Sequence, residues 1–584
     1  MKFLLAAFNA KYIHSNPAIY SLKAYAGEQY EPYIELGEYT INHSPDQILA
    51  DIYKRKPDVI GFSCYIWNFT LVQELLGEVH KLLPDTELWL GGPEVSFDCH
   101  AILEKYPYVK GIMIGEGEET FLALLRYYLK EGEQSLEDIP GLALSTGYTT
   151  ERDLVNLSQV PFLYSAGNAD KLNDFEHRII YYESSRGCPF RCSYCLSSID
   201  KKVRLRDIEL VKKELQFFLD HKVPQVKFID RTFNCNHTHA KTIWRYLLEH
   251  DNGVTNFHFE VAADILDEEE LSLLHQMRPG LVQLEIGVQT TNPDTLKEIR
   301  RFTNLEKLKQ VVTKIHAGHN VHMHLDLIAG LPFEDYESFA RSFAEVYAMK
   351  PEQLQLGFLK VLKGSYMYDM AQKYGLKYLS HPPYEVLFTN WLNYEDVLRL
   401  KQVEEMVELY YNSNQFTHTM PLLEQLYDNP FYLYEDLARF YEEQGYFLKA
   451  PARSYRYQVL LQFAKSVDGA HESLYRESLT YDLYLRENAK SRPEFADDIA
   501  PYKGEFHAFF AEEDKVRSLL PHYGAYDTKQ ISKMTHLEWF TYPVWDVERA
   551  KLYQPLKEAV KVLFDYQNRS PLTKEAQVHV LEEA

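Results

Sequence analysis

The sequence lacks the features that mark membrane proteins, disulfide-rich proteins and nucleic-acid-binding proteins. Among 584 residues, no apolar run approaches the roughly 20 residues that a membrane span needs. Six cysteines are too few for a disulfide framework in a chain of this length. The net charge is −23, from 62 basic and 85 acidic side chains, which argues against DNA or RNA as the main partner. No repeat of fixed period is evident. We therefore expect a reduced, cytoplasmic protein of several domains.

Three cysteines stand close together in the segment GCPFRCSYC. Cys188, Cys192 and Cys195 are separated by three and two residues. Three thiolates in one short loop can bind three irons of a four-iron, four-sulfur cluster and leave the fourth iron open to another ligand. Zinc or a purely structural role is the alternative, but zinc usually takes a fourth Cys or His, with ligands paired as CxxC. The sequence has no second pair, and the nearest candidates, Cys235 and His237, lie in another predicted loop. The spacing favours the cluster.

The CxxxCxxC motif, with the aromatic Tyr194 before its third cysteine, resembles the radical S-adenosylmethionine (SAM) superfamily. The resemblance implies that the three cysteines are the metal ligands of a [4Fe-4S] cluster whose open iron holds SAM. It also implies that an electron donor such as flavodoxin or ferredoxin reduces the cluster, so that SAM is cleaved to a 5′-deoxyadenosyl radical. Cys235 is a fourth thiol in a loop at the same mouth, and a buried inert cysteine is the favoured explanation over a substrate-facing thiol.

Residues 1–135 alternate strand and helix signals, which predicts a doubly wound, Rossmann-like parallel sheet. Helical periodicity follows the apolar runs, for example at residues 69–83 and 118–129. The predicted strands are at residues 3–8, 59–63, 87–90 and 111–114. Ligands of such sheets bind beyond the carboxyl ends of the strands, where this sequence has glycine-rich loops. Each loop alone is explained by an ordinary tight turn.

Taken together and in order, the segments DVIGFS, LWLGGPE and IMIGEGEETF resemble the cobalamin-binding domain of cobalamin-dependent radical SAM enzymes. The resemblance implies that one set of residues wraps the cobalamin: Ser63, Gly91, Gly92, Pro93, Gly115, Glu116 and Gly117. Many cobalamin proteins have D-x-H-x-x-G after the first strand, and its His binds cobalt from below. Lys11 occupies that position here. We therefore expect no protein ligand to cobalt, with His14 as the less favoured alternative.

After a connector at residues 136–178, strand and helix signals alternate again over residues 179–364. The predicted strands are at residues 179–185, 225–230, 256–262, 281–289, 321–329 and 353–360. Six such units suggest the partial (β/α)6, TIM-like barrel of the superfamily. Polar side chains recur at every second position: His258 and Glu260, Glu285 and Gln289, His322, His324 and Asp326, and Gln353 and Gln355. This alternation predicts a polar lumen that holds a ligand, the alternative being a sheet with one wet face.

The superfamily binds SAM along the carboxyl ends of these strands. The segments FIDRTFN, FEVA, GVQT and DLIAGLP stand in the order of the superfamily's motifs. The resemblance implies that SAM is contacted by Tyr194, Glu260, Glu285, Gln289, Asp326 and Leu331.

Residues 365–584 are rich in Tyr and Phe and predict an all-α C-terminal domain. The predicted helices are at residues 394–411, 422–443, 453–464 and 470–486. This organisation resembles an uncharacterised helical extension found in one subset of cobalamin-dependent radical SAM proteins.

The resemblance implies a radical methyltransferase that transfers a methyl group through methylcobalamin to an unactivated carbon, or a phosphinate phosphorus, of an unknown small-molecule substrate. A second hypothesis keeps the cofactors but transfers no methyl group, giving a rearrangement, cyclisation or oxidation. A third is a cobalamin- or redox-responsive binding protein, against which the intact cysteine triad and the polar lumen count.

Overall fold

A computed structural model describes residues 1–11, 14–132, 135–164 and 178–581. These residues divide between two compact units. The first unit contains Met1–Val321, Ile328–Glu334 and Gly357–Asn393, and the second contains His322–Leu327, Asp335–Leu356 and Tyr394–Ala584. The predicted connector at 136–178 lies in part outside the described residues. Within the described part of the chain, no helix has both the length and the apolar character that crossing a bilayer requires.

The N-terminal region forms a seven-stranded sheet in the order β2-β1-β3-β4-β5-β6-β7. Its strands are β1 Phe3–Asn9, β2 Ile34–Thr40, β3 Val59–Ser63, β4 Glu87–Gly91, β5 Val109–Met113, β6 Leu142–Leu144 and β7 Gly147–Tyr148. Its helices are α1 Pro17–Ala26, α2 Pro45–Arg55, α3 Phe69–Leu82, α4 Cys99–Lys105 and α5 Glu118–Leu129. The pairs from β2 to β5 are parallel, and β6 and β7 add antiparallel pairs. The doubly wound prediction is confirmed, although β2 was not predicted.

Strand β1 lies inside this sheet, between β2 and β3, and all seven of its residues are buried. Leu4, Ala6 and Phe8 pack with α2, α3 and α4, whereas Phe3, Leu5 and Ala7 pack with α1 and α5. A strand covered by helices on both faces needs a continuous apolar run, because neither face meets water. That requirement explains why the sequence begins with the run FLLAAF.

The next region, residues 178–393, contains the segments that resemble the radical SAM superfamily and again alternates strands and helices. Its strands are β8 Ile180–Tyr182, β9 Ser185–Arg186, β10 Arg204–Leu205, β11 Gln225–Phe228, β12 Asn256–Val261, β13 Val282–Gln289, β14 His322–Ala329, β15 Gln353–Phe358, β16 Lys377–Tyr378 and β17 Val386–Phe388. Its helices are α6 Ile208–Asp220, α7 His237–Glu249, α8 Glu268–Gln276, α9 Pro293–Glu298, α10 Leu305–His316, α11 Tyr336–Tyr347 and α12 Tyr366–Asp369. Strands β8, β11, β12 and β13 pair in parallel in that order. All six predicted strands of the barrel are present.

The two faces of β13 differ as the polar alternation predicted. Val282, Leu284, Ile286 and Val288 are buried, while the residues between them are partly exposed. The same alternation runs along β14. One face of these strands is therefore core, and the other carries the polar side chains.

The C-terminal region, from Tyr394, is mostly helical, as predicted. Its helices are α13 Tyr394–Val407, α14 Thr419–Glu424, α15 Pro430–Glu443, α16 Tyr446–Lys449, α17 Arg456–Asp468, α18 Glu472–Arg486, α19 Lys503–Ala511, α20 Glu513–Leu519, α21 Thr528–Met534 and α22 Val547–Ala550. The single helix predicted over 422–443 is two helices, because Pro430 has no N–H to continue a helix and instead begins α15.

The all-α prediction is wrong for the last part of this region, where three strands form an antiparallel sheet. They are β18 Thr535–Phe540, β19 Val560–Asp565 and β20 Gln577–Leu581. Buried carboxylates hide the strand pattern: Glu538 is paired with Arg492 at 2.7 Å, and Asp565 accepts a hydrogen bond from the Tyr523 hydroxyl at 2.6 Å. Acidic residues at core positions remove the apolar alternation by which a strand is normally identified.

Gly92 follows β4 in a conformation that only glycine adopts easily. Its φ is +110°, and a Cβ there would lie 2.4 Å from the Cys64 carbonyl oxygen. Changing Gly92→Ala should lower the free energy of unfolding by about 1–3 kcal/mol. Gly27→Ala is the matched control, because Gly27 has φ +92° but open space around its Cβ position. Chemical denaturation measures both variants; equal losses would contradict the steric argument.

Candidate functional site

The cysteine loop runs between β9 and β10 and is fixed by backbone hydrogen bonds. The Cys188 amide donates to the Asp200 carbonyl at 3.0 Å, and the Ser193 amide donates to the Ile299 carbonyl at 2.9 Å. Gly187 has φ +98°, and a Cβ there would meet the Lys202 carbonyl at 2.5 Å. The loop therefore depends on glycine immediately before its first thiol.

The three thiols suit a cluster better than a single metal ion. A single metal ion would need three ligand atoms within about 4.8 Å of one another. In the described residues, His237, Asp267 and Glu270 form such a group, and the three cysteines do not. Thiolates that share one zinc ion at about 2.3 Å would lie closer together than that. Burial raises the pKa of the Cys188 thiol, so its thiolate needs bound metal for stabilisation. Wider spacing in a partly buried loop fits a multi-iron cluster.

Side chains from outside the loop reach two of the thiols. Arg301 donates from Nη1 to Cys192 Sγ at 3.7 Å and from Nη2 to the Gly287 carbonyl. The Thr232 hydroxyl lies 3.9 Å from Cys188 Sγ. Arg301 and Thr232 were not predicted, because neither stands near a cysteine in the sequence. Cys235 is partly buried, and burial raises the pKa of its thiol to about 11, which supports the inert interpretation.

A buried polar group fixes the chain just before the cysteine loop. Asp230 is fully buried and accepts hydrogen bonds from the Ser184 amide at 2.9 Å and the Ser184 hydroxyl at 2.7 Å. Burial raises the pKa of Asp230 to about 7. The segment after β8 is thereby tied to the loop that follows β11.

The polar face of β11–β13 brings several of the predicted SAM residues together. Glu285 pairs with Lys227 at 2.9 Å and with His258 at 3.1 Å. Burial alone would raise the pKa of Glu285, but His258 and Lys227 lower it well below its usual range. Glu260 accepts two hydrogen bonds from Arg231 at 2.8 and 2.6 Å. Ion pairs therefore hold both carboxylates in fixed positions.

The other predicted SAM residues occupy different environments. In the described part of the chain, Gln289 Oε1 is buried without a hydrogen-bond partner, as expected of an acceptor that meets a ligand. Asp326 lies on β14 with an oxygen 3.4 Å from His324 Nε2. Leu331 is buried in an apolar cluster against which Tyr194 packs. That these residues bind SAM stays a prediction.

A cavity of about 520 Å³ lies at the carboxyl ends of β3, β4 and β5. All seven residues predicted to surround cobalamin line it: Ser63, Gly91, Gly92, Pro93, Gly115, Glu116 and Gly117. The cavity is within the usual range of ligand pockets, about 300–1,000 Å³. A Cβ at Gly115 would have open space around it, so the chain leaves room for a bulky ligand.

The opposite wall of the cavity belongs to the radical SAM region. Tyr181, Glu183 and Arg186 line it from β8 and β9, and Leu196, Ile199 and Asp200 line it from the cysteine loop and its continuation. The sequence predicted the glycine-rich loops and the cysteine loop as two separate sites. The structure places the cobalamin-type loops around one space with Leu196, Ile199 and Asp200, which follow Cys195 in the chain, whereas the three cysteines do not line it.

The imidazole of His14 is engaged by Tyr181, a residue of the cavity wall. Its Nδ1 shares a hydrogen bond with the Tyr181 hydroxyl, and its backbone forms a parallel bridge to Ile179. His14 does not appear among the residues that line the cavity, and Lys11 is exposed. This geometry disfavours His14 as a cobalt ligand, and the absence of any protein ligand stays a prediction.

Three segments of the chain match known families. Residues 4–125 match the B12 binding domain, residues 182–346 match the radical SAM superfamily, and residues 372–564 match a protein family of unknown function, DUF4080. Cobalamin, SAM and a [4Fe-4S] cluster are therefore the cofactors that the first two segments specify.

The chain is similar to the cobalamin-dependent radical SAM methyltransferase TokK of Streptomyces tokunonensis, with 28% identity over 57% of this chain and 51% of TokK. It is also similar to the anaerobic magnesium-protoporphyrin IX monomethyl ester cyclase of Rubrivivax gelatinosus, with 22% identity over 55% of this chain and 60% of the cyclase. The chain thus spans about half the length of the curated relatives it matches.

The fold is also found among solved structures. The radical SAM methyltransferase TsrM from Kitasatospora setae, with cobalamin and a [4Fe-4S] cluster bound, aligns with a TM-score of 0.53 and 17% identity over 65% of this chain and 78% of TsrM. At that identity the likeness establishes architecture, and it agrees with the doubly wound sheet and the barrel strands described above.

Gly91 offers a direct test of the cavity. Its backbone is ordinary, and the nearest atom to its Cβ position is the Met113 side chain at 3.5 Å, so the fold should tolerate a side chain there. Gly91→Phe should weaken cobalamin binding at least about tenfold while iron content stays unchanged. Absorbance and metal analysis measure both. Gly504→Phe, at an open position on α19, is the control. Loss of iron with retention of cobalamin would refute the assignment of this cavity.

Removal of the thiols tests the cluster. A variant in which Cys188, Cys192 and Cys195 are all changed to Ala should bind no iron or sulfide and should not cleave SAM. It should still bind cobalamin. Cys235→Ala should keep full iron content, because its thiol is not a ligand. Iron and sulfide are assayed after anaerobic reconstitution. Stoichiometric zinc in place of iron in wild-type protein prepared without oxygen is the contrary result.

Proposed function

Because the chain belongs to the cobalamin-dependent radical SAM enzymes, we propose that it is a radical methyltransferase acting on an unactivated carbon, or a phosphinate phosphorus, of a small-molecule substrate. The observation that carries this proposal is the shared cavity. Loops of the B12-binding region form one wall, and the cysteine loop contributes to the other. Cobalamin in that space would lie beside the loop whose cysteines we propose as cluster ligands.

Bound cobalamin would supply a transferable methyl group, and SAM on the reduced cluster would supply the radical that makes an inert position reactive. Within this scheme, Cys188, Cys192 and Cys195 hold the iron. Glu260 and Glu285, each already paired with a basic side chain, hold the polar face of the barrel strands in a fixed arrangement, against which we propose that SAM binds. A donor such as flavodoxin or ferredoxin would provide the electron.

The apolar lining of the cavity serves the same chemistry. Leu157, Val160 and Phe162 line it together with Tyr164 and Tyr181. Organic radicals abstract hydrogen from nearby groups, so a site that confines the substrate and excludes other molecules limits side reactions. These side chains are suited to that confinement.

A second candidate keeps the cofactors without methyl transfer. The similarity to the magnesium-protoporphyrin IX monomethyl ester cyclase favours a cyclisation or oxidation, at an identity of 22%. The similarity to TokK, a methyltransferase, is higher, at 28%. We therefore place methyl transfer first.

The test supplies the anaerobically reconstituted protein with methyl-deuterated SAM, reduced flavodoxin and the small metabolites of a strain that lacks the gene. Mass spectrometry should find 5′-deoxyadenosine and a metabolite that carries the deuterated methyl group, both absent with the triple-cysteine variant. A new unlabelled product would establish the second candidate instead. Failure to cleave SAM despite full cofactor content would favour a binding protein.

A further inference from the structure

Glu116 lines the cavity, and its neighbours suggest a role other than holding cobalamin. We propose that Glu116 is a positioning residue that, through Arg204 and Asp200, fixes the cavity loop to the cysteine loop. The proposal rests on the proposed function in one respect only, namely that the two loops hold the two cofactors. We call the set Glu116, Arg204, Asp200 and Cys188 the clamp.

Both carboxylate oxygens of Glu116 are already occupied by protein. Arg204 donates to Oε1 from Nη2 at 2.5 Å and to Oε2 from Nη1 at 3.0 Å. Oε2 also accepts the Val155 amide at 2.8 Å, and Arg186 Nη1 lies 3.2 Å from Oε1. A bidentate guanidinium contact of this kind fixes orientation as well as charge. Little acceptor capacity remains for an amide group of a corrin.

The next contacts of the clamp connect Arg204 to the cysteine loop. Arg204 Nη2 also donates to Asp200 Oδ2 at 2.8 Å. The backbone carbonyl of Asp200 accepts the Cys188 amide at 3.0 Å. Asp200 therefore has its side chain on Arg204 and its backbone on the first cysteine of the motif. Three consecutive contacts join the cavity loop to the backbone of Cys188.

The electrostatics of Glu116 agree with this role. Burial favours the protonated acid, but Arg204 and Arg186 together hold the pKa of Glu116 below its usual range. Glu116 therefore carries full charge at neutral pH, and the clamp is an ion pair rather than a neutral hydrogen bond. The Arg204 side chain is only 11% exposed and that of Glu116 only 17%, so solvent screens the pair weakly.

Hydrogen–deuterium exchange of the cysteine-loop segment, residues 187–204, tests the clamp first without any cofactor. Glu116→Gln keeps the shape of the side chain and removes its charge. Exchange in this segment should become roughly tenfold faster, as expected on loss of a charge-assisted pair. Arg204→Lys should give a similar change, because one ammonium group cannot bridge Glu116 and Asp200 as the guanidinium fork does.

Glu119→Gln is the matched control. Glu119 lies in the first turn of α5, three residues after Glu116, and pairs with Arg152 at 3.3 Å, but it does not line the cavity. In the Glu119→Gln variant, hydrogen–deuterium exchange in residues 187–204 should equal that of wild type. Circular dichroism and thermal unfolding show whether each variant is folded.

The second measurement repeats the exchange with hydroxocobalamin added. In wild type, binding should slow exchange in residues 187–204. The Glu116→Gln variant should still bind hydroxocobalamin, but the protection should no longer reach the cysteine loop. If Glu116 served folding alone, the variant would not keep hydroxocobalamin binding while losing the protection of residues 187–204.

Two results would overturn the proposal. The first is exchange in residues 187–204 equal to wild type in cofactor-free Glu116→Gln protein. The second is loss of hydroxocobalamin binding with unchanged exchange, which would make Glu116 a cofactor ligand. A wild-type protein that binds no hydroxocobalamin counts against the proposed function, while the cofactor-free comparison still decides the clamp.

Discussion

A single guanidinium group, that of Arg186, is shared by three carboxylates at the centre of the first unit. Its Nη2 lies 2.8 Å from oxygens of both Glu118 and Glu183, and its Nη1 lies 3.2 Å from Glu116. Arg186 stands two residues before Cys188 in the sequence. Because removal of one partner from such a buried network leaves uncompensated charge, the two loop systems are held together strongly. These ion pairs connect Glu116 and Glu118, which line one wall of the cavity, to Arg186 and Glu183, which line the other.

The sequence was sufficient to predict what is encoded locally. The apolar run of β1 requires burial on both faces, and the alternation on β13 and β14 requires two different faces. Parallel strand order then places the loops after β3, β4 and β5 at one edge of the sheet. The residues expected around cobalamin therefore line one cavity, because topology rather than any individual contact brings them together.

The contacts between distant segments could not be predicted. Glu116 and Arg204 are 88 residues apart, and Glu118 and Arg186 are 68 apart. An exposed position is the ordinary expectation for each of these charged residues taken alone. The β18–β19 sheet was missed for a related physical reason. Glu538 and Asp565 are buried in it only because Arg492 and Tyr523 reach them from elsewhere in the second unit.

The central claim is that cobalamin occupies the cavity and that an iron–sulfur cluster occupies the adjacent cysteine loop. Anomalous diffraction at the iron and cobalt absorption edges, from crystals of the anaerobically reconstituted protein, tests it most directly. The account predicts an iron peak enclosed by Cys188, Cys192 and Cys195 and a cobalt peak inside the cavity lined by Gly91 and Gly115. A cobalt peak outside that cavity, or a zinc peak at the three cysteines, would contradict it.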